Sequence, residues 1–264
     1  MIAVLMSTYN GERYIREQID SLLNQTCKDW KLYIRDDGST DGTTSIVKEY
    51  EIDYPNKIVL LGDELGNLGP GSSFMQLLSS VCSDYYMFCD QDDVWLPDKI
   101  EKTYLKLISM ESNHIDKAII VFTNLYIVDQ SLNILSNSYW KSCHRNPENA
   151  FDLYGLIVYG SPSIGCTMML NNMAKSLLFP YKNWKLHDYW TILIISYLGR
   201  VAYVNEPLIY YRQHDNNASG FQDGGYSVRQ MMEALFSMPF ECVQEFYNRV
   251  NHLRSYLFLS LYIL

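Results

Sequence analysis

Three carboxylates in four positions, Asp90-Gln91-Asp92-Asp93, follow directly on the apolar run Tyr85-Tyr86-Met87-Phe88-Cys89. At the end of a buried strand such groups repel one another and lose hydration unless a positive charge sits among them. A hard divalent cation, Mg²⁺ or Mn²⁺, relieves that repulsion, because these ions take carboxylate oxygens together with the phosphate oxygens of a substrate. The same residues also suit an acidic loop that opens a helix, with Asp93 capping a segment that continues through Pro97. A second acidic turn, Asp36-Asp37-Gly38-Ser39, ends the earlier stretch Trp30 to Arg35.

The elements around these turns alternate. Met1 to Met6 is a short apolar run that stops at Ser7-Thr8-Tyr9-Asn10-Gly11, as a buried parallel strand followed by a loop would. Glu12 to Gln25 sets Tyr14, Ile15, Ile19, Leu22 and Leu23 at helical spacing. The next strand is Trp30 to Arg35, and Thr40-Asp41-Gly42-Thr43 starts a helix carrying Ile46, Val47 and Tyr50. Ile58 to Leu61 reads as a third strand, Ser72 to Val81 as a helix, and Tyr85 to Cys89 as a fourth strand. This alternation predicts an α/β fold with a parallel sheet covered on both faces. Ligands of such sheets bind beyond the carboxyl ends of the strands, so both acidic turns are expected in one crevice. The glycine-rich loop Gly66 to Gly71 lacks the Lys of a Walker phosphate loop.

The second half is less regular. Ala118 to Val128 is strand-like, and Gln130 to Asn149 is polar and reads as a loop or lid. Ile157 to Leu170 is a turn feeding a strand, and Asn172 to Leu178 a short helix. His187-Asp188-Tyr189-Trp190 opens an apolar helix, Thr191 to Leu198. Two strand-like stretches follow, Arg200 to Val204 and Leu208 to His214. Beyond Asn217 a glycine-rich joint precedes a tail expected to be helical and ending in the apolar run Tyr256 to Leu264.

A net charge of -9 argues against a nucleic-acid-binding surface, which needs an excess of Lys and Arg. The six cysteines, Cys27, Cys82, Cys89, Cys143, Cys166 and Cys242, contain no C-x-x-C pair and read as reduced thiols of a cytoplasmic protein. Neither a signal peptide nor a membrane-spanning run of about 18 apolar residues is expected from the sequence.

Three segments in the first half, Met6-Ser-Thr-Tyr-Asn-Gly, Arg35-Asp-Asp-Gly-Ser-Thr-Asp-Gly-Thr and Asp90-Gln-Asp-Asp-Val-Trp-Leu-Pro-Asp-Lys, occur in this order. They resemble the nucleotide-sugar half of family-2 inverting glycosyltransferases of the GT-A fold. Downstream, Gly165-Cys-Thr-Met-Met, His187-Asp-Tyr-Trp and Tyr211-Arg-Gln-His-Asp-Asn-Asn resemble the acceptor half of the bacterial rhamnosyltransferase branch. The resemblance covers about residues 1–217 and implies a GT-A, Rossmann-like, mixed but mostly parallel sheet flanked by helices. It divides the chain into a nucleotide-sugar half, 1–100, an acceptor half, 101–217, and a helical C-terminal extension, 218–264.

The resemblance also implies roles. Thr8, Tyr9, Asn10 and Glu12 would line the base pocket, and Asp36 or Asp37 would accept the imide N–H of uracil or thymine, a task for an acceptor-only group. The plain reading of Asp36-Asp37-Gly38-Ser39 is an acidic turn with Gly in a left-handed position. Asp90 and Asp92 match the family's D-x-D element, with Asp92 the metal ligand, Asp90 nearer the ribose beside Gln91, and Asp93 beginning the next helix. Trp95 and Pro97 are expected to pack rather than to contact ligand. Asp188 falls at the catalytic base, where its alternative is a helix N-cap, and His187 would position it. Arg212 and His214 would approach the diphosphate, with His214 reaching the metal. Gly165 and Thr167 would lie near donor sugar and acceptor.

The activity implied is inverting, metal-dependent transfer of a sugar, L-rhamnosyl from dTDP-β-L-rhamnose, to a hydroxyl of a lipid-linked glycan in bacterial surface-polysaccharide synthesis. The cofactor would be Mn²⁺ or Mg²⁺, and the location cytoplasmic, peripheral on the inner face of the membrane through the lipid-linked acceptor. A UDP-galactose or UDP-glucose transferase of the same fold is the alternative. A nucleotidylyltransferase should carry a basic, glycine-rich loop near its start, where Ser7 to Arg13 offers only Gly11 and Arg13. A non-catalytic sugar-nucleotide-binding protein would be favoured by loss of Asp92 or Asp188, and both are present. The apolar end of the tail is expected to pack on the catalytic domain, with a membrane or partner surface as the alternative.

Overall fold

The apolar run at the start forms β1 (Ile2–Thr8), and the chain then alternates through α1 (Ile15–Leu23), β2 (Trp30–Asp36), α2 (Thr43–Asp53), β3 (Ile58–Leu61), α3 (Pro70–Ser80) and β4 (Tyr85–Cys89). A computed structural model describes residues 1–181 and 187–215, and the C-terminal extension lies outside the described residues. β1 lies between β2 and β4, β3 flanks β2, and all of these pairings are parallel. Thr8 is level with Asp36 and Met6 with Cys89, so the two acidic turns leave the sheet at the same end.

Helices on both faces require strands that are apolar on both faces. Ala3, Leu5, Tyr86 and Phe88 pack with Phe74, Leu77 and Leu78 of α3 on one side. Ile2, Val4, Met6, Met87 and Cys89 pack with Ile15, Ile19 and Leu22 of α1 on the other. Each such side chain contributes roughly 1.5–3 kcal/mol by leaving water. The helical spacing read in α1 is thus the spacing of its buried face.

Past β4 the sheet changes direction. β8 (Met168–Asn171) runs antiparallel to β4, and β6 (Ile119–Val128) antiparallel to β8. β9 (Arg200–Arg212) pairs parallel with β6. β5 (Val94–Trp95) closes the far edge against β9, while β7 (Ile134–Ser136) pairs with the end of β6. Two reversals restore the original direction, so β6 and β9 point their carboxyl ends toward the acidic turns. The sheet is mixed, as expected. α8 (His187–Leu198) is apolar nearly all round because it is enclosed: Trp190, Thr191, Ile192, Leu193, Ile194 and Ile195 are all buried.

Several expectations require correction. Asp93 does not begin a helix; Val94 and Trp95 first pair with β9, and α4 (Lys99–Asn113) starts after Asp98. Tertiary pairing of two residues overrides the local Asp and Pro signals. The polar segment 130–149 is not plain loop, since it holds β7, α5 (Tyr139–Ser142) and the start of a 3₁₀ turn, Pro147–Phe151. α6 (Leu153–Tyr159) precedes the expected turn and ends at Gly160, whose φ of 76° needs glycine. Short α7 (Asn172–Leu177) falls as expected, whereas the two stretches from Arg200 form one irregular strand.

A buried cation holds the first half to its loops. Arg35, 2% exposed in β2, pairs through Nη1 with Asp37 and through Nε with Asp63 at 2.7 Å, and Nη2 donates to the Gly66 carbonyl at 2.7 Å. Asp37 in turn accepts the N–H groups of Leu68 and Gly69, both at 2.8 Å. The guanidinium lowers the Asp63 carboxyl below its usual range. Arg35→Leu leaves Asp37 buried without its cation and is expected to lower unfolding free energy by about 3–5 kcal/mol in urea titrations. The double variant Arg35→Leu/Asp37→Asn is expected to recover much of that loss.

Candidate active site

The ends of β1, β2 and β4 are laced together by side chains. Thr8 Oγ1 donates to Asp36 Oδ1 at 3.0 Å, and Asp36 also accepts the Ser39 hydroxyl at 2.6 Å and the Ser39 N–H at 2.8 Å. Gly38, at φ 90°, makes the left-handed turn that this wrapping requires. Asn10 Oδ1 accepts the Thr40 N–H at 2.8 Å, and Glu12 Oε2 accepts the Gly42 N–H at 2.9 Å. Gln91 bonds both ways with Tyr9, its Oε1 accepting the Tyr9 N–H and its Nε2 donating to the Tyr9 carbonyl, each at 2.9 Å. A Cβ at Gly11 would stand 2.2 Å from Gln91 Oε1, so a side chain there would displace the Gln91 amide.

Tyr9, Asn10 and Glu12 are exposed and Asp36 is half-buried, so all four are accessible to solvent at the strand ends. Thr8 lies beneath as their support, fully buried. Asp37 departs from the pair of candidates for base recognition. It is 2% exposed, and Arg35 and two loop N–H groups hold its oxygens. Its geometry is that of a strut under the glycine loop.

The second acidic turn is the electrostatic centre. One ligand atom from each of Asp90, Asp93 and Cys166 fits within 4.8 Å of the others. Enclosure raises the Asp90 carboxyl to about 7, helped by the charges of Asp92 and Asp188, while the Cys166 thiol opposes the rise by hydrogen bonding. Asp93 is pushed well above the carboxylate range for the same reasons. Its Oδ1 accepts the Arg212 N–H at 3.2 Å, and Oδ2 is buried with no hydrogen-bond partner among the described residues. Asp92 instead meets His214 Nε2 at 2.8 Å, and the His214 ring stacks on Tyr14 at 4.9 Å between centroids. Lys99 is fully buried, 4.0 Å over the Trp95 ring, and burial brings its ammonium down to about 8.

Arg212 also departs from expectation. Only 1% exposed, it donates to the Asp92 carbonyl at 2.8 Å and the Gln130 carbonyl at 2.6 Å, and pairs with Glu17. Its guanidinium shapes the acidic turn from inside the protein.

The third component comes from the far half. Asp188 lies in the first turn of α8, not at a cap ahead of it, and its Oδ1 accepts the N–H of Tyr189 at 2.7 Å. Its charge helps to raise the Asp90 carboxyl, and the contact of neighbouring His187 with Phe88 at 4.9 Å between ring centroids puts the start of α8 against the end of β4. His187 stacks on Phe74 at 4.4 Å and meets Phe88 edge-on, and burial lowers its pKa so that it stays neutral. Gly165, in the 3₁₀ turn Gly165–Thr167, makes room for it: a Cβ there would lie 2.7 Å from His187 Nε2. Thr167 is buried and bonds back to the Ile164 carbonyl, which places it under the site as support.

The donor chemistry fits a hard divalent ion. Asp90 and Asp93 each bring a carboxylate oxygen within one ion's reach beside the Cys166 sulfur, whereas Asp92 and His214 pair with each other at 2.8 Å outside that group, and a cation would relieve the crowding around the unpartnered Asp93 Oδ2. Burial raises the Cys166 thiol well above its ordinary value, so it remains protonated and donates hydrogen bonds to the carboxylates. Sequence reasoning gave no role to Cys166, Lys99 or Arg35. For Arg35 and Lys99 the only local signal was a lone cation within or beside an apolar segment, and Cys166 had none.

The raised Asp90 carboxyl has a stability consequence. Its folded pKa, about 7, exceeds the unfolded value near 4, so folding takes up a proton between those limits. The penalty is absent below pH ~4, grows as pH rises, and is complete above pH ~7. Asp90→Asn is expected to stabilise the protein in EDTA by on the order of 1–3 kcal/mol at pH 8 and by less at pH 5.5, read by thermal unfolding.

Comparison with known proteins gives this geometry a family. The model of Glycosyl transferase family 2 matches residues 3–164. The dTDP-rhamnosyl transferase RfbG of Shigella flexneri is 30% identical over 233 residues, which covers 81% of this chain and 73% of that protein. An uncharacterized glycosyltransferase of Nostoc sp., alr2836, is 25% identical over 259 residues, covering 95% and 77%. Among solved structures, S. aureus TarS 1-349 in complex with UDP-GlcNAc superposes with a TM-score of 0.60 at 18% identity, covering 84% of this chain and 61% of that one. The mannosyltransferase PcManGT from Pyrobaculum calidifontis, in complex with GDP-Man and Mn²⁺, gives 0.56 at 17% identity, covering 82% and 58%. This chain therefore spans about three fifths of each of those two solved chains. The sequence match over most of the chain and the shared GT-A fold place it in glycosyl transferase family 2, as a glycosyltransferase.

Proposed function

We propose that this glycosyltransferase is an inverting enzyme that moves L-rhamnosyl from dTDP-β-L-rhamnose to a hydroxyl of a lipid-linked glycan. The observation that carries the reading is the meeting of Asp188 with the Asp90 turn beside Gly165, which puts one separate carboxylate next to a carboxylate cluster suited to a cation. The rhamnosyl assignment is supported by the name of the Shigella flexneri relative. A UDP-hexose donor is the second reading, favoured by the UDP-GlcNAc complex of TarS.

In the proposed reaction the nucleotide lies over the ends of β1 and β2, its base beside Tyr9, Asn10 and Glu12, with the imide N–H directed to Asp36. Asp92 and His214 would hold a divalent cation, with Asp90 nearer the ribose, and such an ion would neutralise charge on the diphosphate leaving group. Asp188 Oδ2 takes the proton of the acceptor hydroxyl, while the Tyr189 N–H steadies Oδ1. The acceptor oxygen forms its bond to the anomeric carbon on the face opposite the nucleotide. The bond from that carbon to the diphosphate oxygen breaks, and its electron pair leaves with the nucleoside diphosphate. Neutral His187, fixed between Phe74 and Phe88, keeps the start of α8 in place. A lipid-linked acceptor would put the enzyme at the inner face of the membrane, and no helix among the described residues is long and apolar enough to cross it.

Asp188→Asn preserves shape and removes the base. It is expected to lower kcat by about 10²–10⁴-fold while donor affinity changes less than about threefold, read by radiolabelled transfer and calorimetry. Loss of donor binding in this variant would overturn the base assignment. In the same transfer assay dTDP-rhamnose is expected to exceed UDP-glucose and UDP-galactose; the reverse order moves the enzyme to the UDP-hexose reading.

A further inference from the structure

Where β6 and β9 lose their regular pairing, the sheet opens into a polar cleft of about 850 Å³. Thr123 is level with Val204, yet the next rung joins Asn124 to Pro207, so Asn205 and Glu206 are left out of the ladder. Pro207 has no N–H with which to repair it. The floor is rigid. Asn124 donates to Ser138 Oγ at 2.8 Å, and Trp140 Nε1 donates to the Pro162 carbonyl at 2.8 Å.

The composition of the cleft differs from that of the chain. Lys141, His144 and Arg145 line it together with Asn137, Asn146 and Asn205, and no carboxylate among the described residues does. The whole chain carries 30 acidic residues against 21 Lys and Arg, so a lining whose described residues include cations and no acid is a local inversion of charge. Glu206, the acid beside the bulge, is drawn off to Lys102 of α4. Lys141 and His144 are exposed and make no ion pair with the described residues. Asparagine amides both donate and accept, as sugar hydroxyls do, while Lys and Arg meet carboxylate or phosphate.

The cleft is also tied to the reaction centre at two points. Trp140 holds Pro162, three residues ahead of Gly165. Arg145 lies close enough to the Tyr189 hydroxyl to oppose the effect of burial on it, and Tyr189 follows Asp188.

We propose that this cleft binds an acidic saccharide, a sugar chain carrying a carboxylate or a phosphate, as the part of the acceptor beyond the hydroxyl that is glycosylated. Its role as acceptor site rests on the transferase reading above; its preference for an acidic saccharide does not. Lys141 and His144 supply the charge, and the asparagines hold the hydroxyls of the flanking sugars.

The test is calorimetry on the full chain at low salt with three probes: a hyaluronan tetrasaccharide carrying uronate, glucose 1-phosphate, and neutral chitotetraose. At least one anionic probe is expected to bind about tenfold or more tightly than chitotetraose, and which one identifies the anion as carboxylate or phosphate. Lys141→Ala/His144→Ala is expected to lose about tenfold for that probe, with unchanged thermal stability and unchanged dTDP and UDP affinity. Lys141→Arg is expected to retain binding. Equal binding of the neutral probe, absence of anionic binding, or an unaffected double variant overturns the proposal. Acidic-saccharide binding without any sugar transfer would overturn the transferase reading alone, and intact transfer without the anion preference would overturn the cleft alone.

Discussion

Everything in this molecule depends on keeping carboxylates together where they repel. Asp90, Asp92 and Asp93 leave the end of β4, and Asp188 arrives against them from the start of α8. Such crowding is unfavourable in an enclosed site unless each group is neutralised, hydrogen-bonded or paired. The fold answers each one separately. His214 meets Asp92, the Arg212 backbone N–H meets Asp93, the Cys166 thiol reaches Asp90 and Asp93, and Lys99 lies buried nearby. What these partners leave over, the unpaired Asp93 Oδ2 and the raised Asp90 carboxyl, is the crowding that a cation would relieve.

The sheet topology is the means of assembling that cluster. Parallel β1, β2 and β4 bring the base-side residues and the acidic turn to one edge. β8 reverses direction and β6 reverses it again, so β9 returns Arg212 and His214 to the same edge from more than a hundred residues away. The buried guanidiniums serve the same end in both halves. Arg35 ties the glycine loop to β2, and Arg212 ties the acidic turn to β9.

How much of this was legible follows from the range of each signal. The four early strands and their helices were readable because burial on both faces demands apolar runs, and apolar runs separated by turn residues are local. The Asp90 turn was readable as chemistry because its carboxylates stand at the end of such a run, whereas Asp188 was singled out only by the resemblance of its segment to the family. Asp36 and Asp37 were not separable, since only the position of Arg35 and the 66–69 loop decides which carboxylate is sealed. Asp93 looked like a helix cap because the two-residue strand that displaces the helix depends on β9, far along the chain. The resemblance directs Arg212 toward the diphosphate, and nothing local reveals that Glu17, Gln130 and Asp92 also surround it. The cleft between β6 and β9 was hidden for the same reason, since a polar stretch such as 130–149 reads as loop until its pairing is known.

The most direct test of the account is calorimetric titration of dTDP-rhamnose into the protein with Mn²⁺ and again with EDTA, for the wild type and for Asp92→Ala. Carboxylate crowding at the end of β4 predicts binding by the wild type with Mn²⁺, a loss of about tenfold or more in EDTA, and an Asp92→Ala protein that barely distinguishes the two conditions. Equal affinity with and without the metal in the wild type would contradict it, because the carboxylate cluster would then have no part in holding the donor.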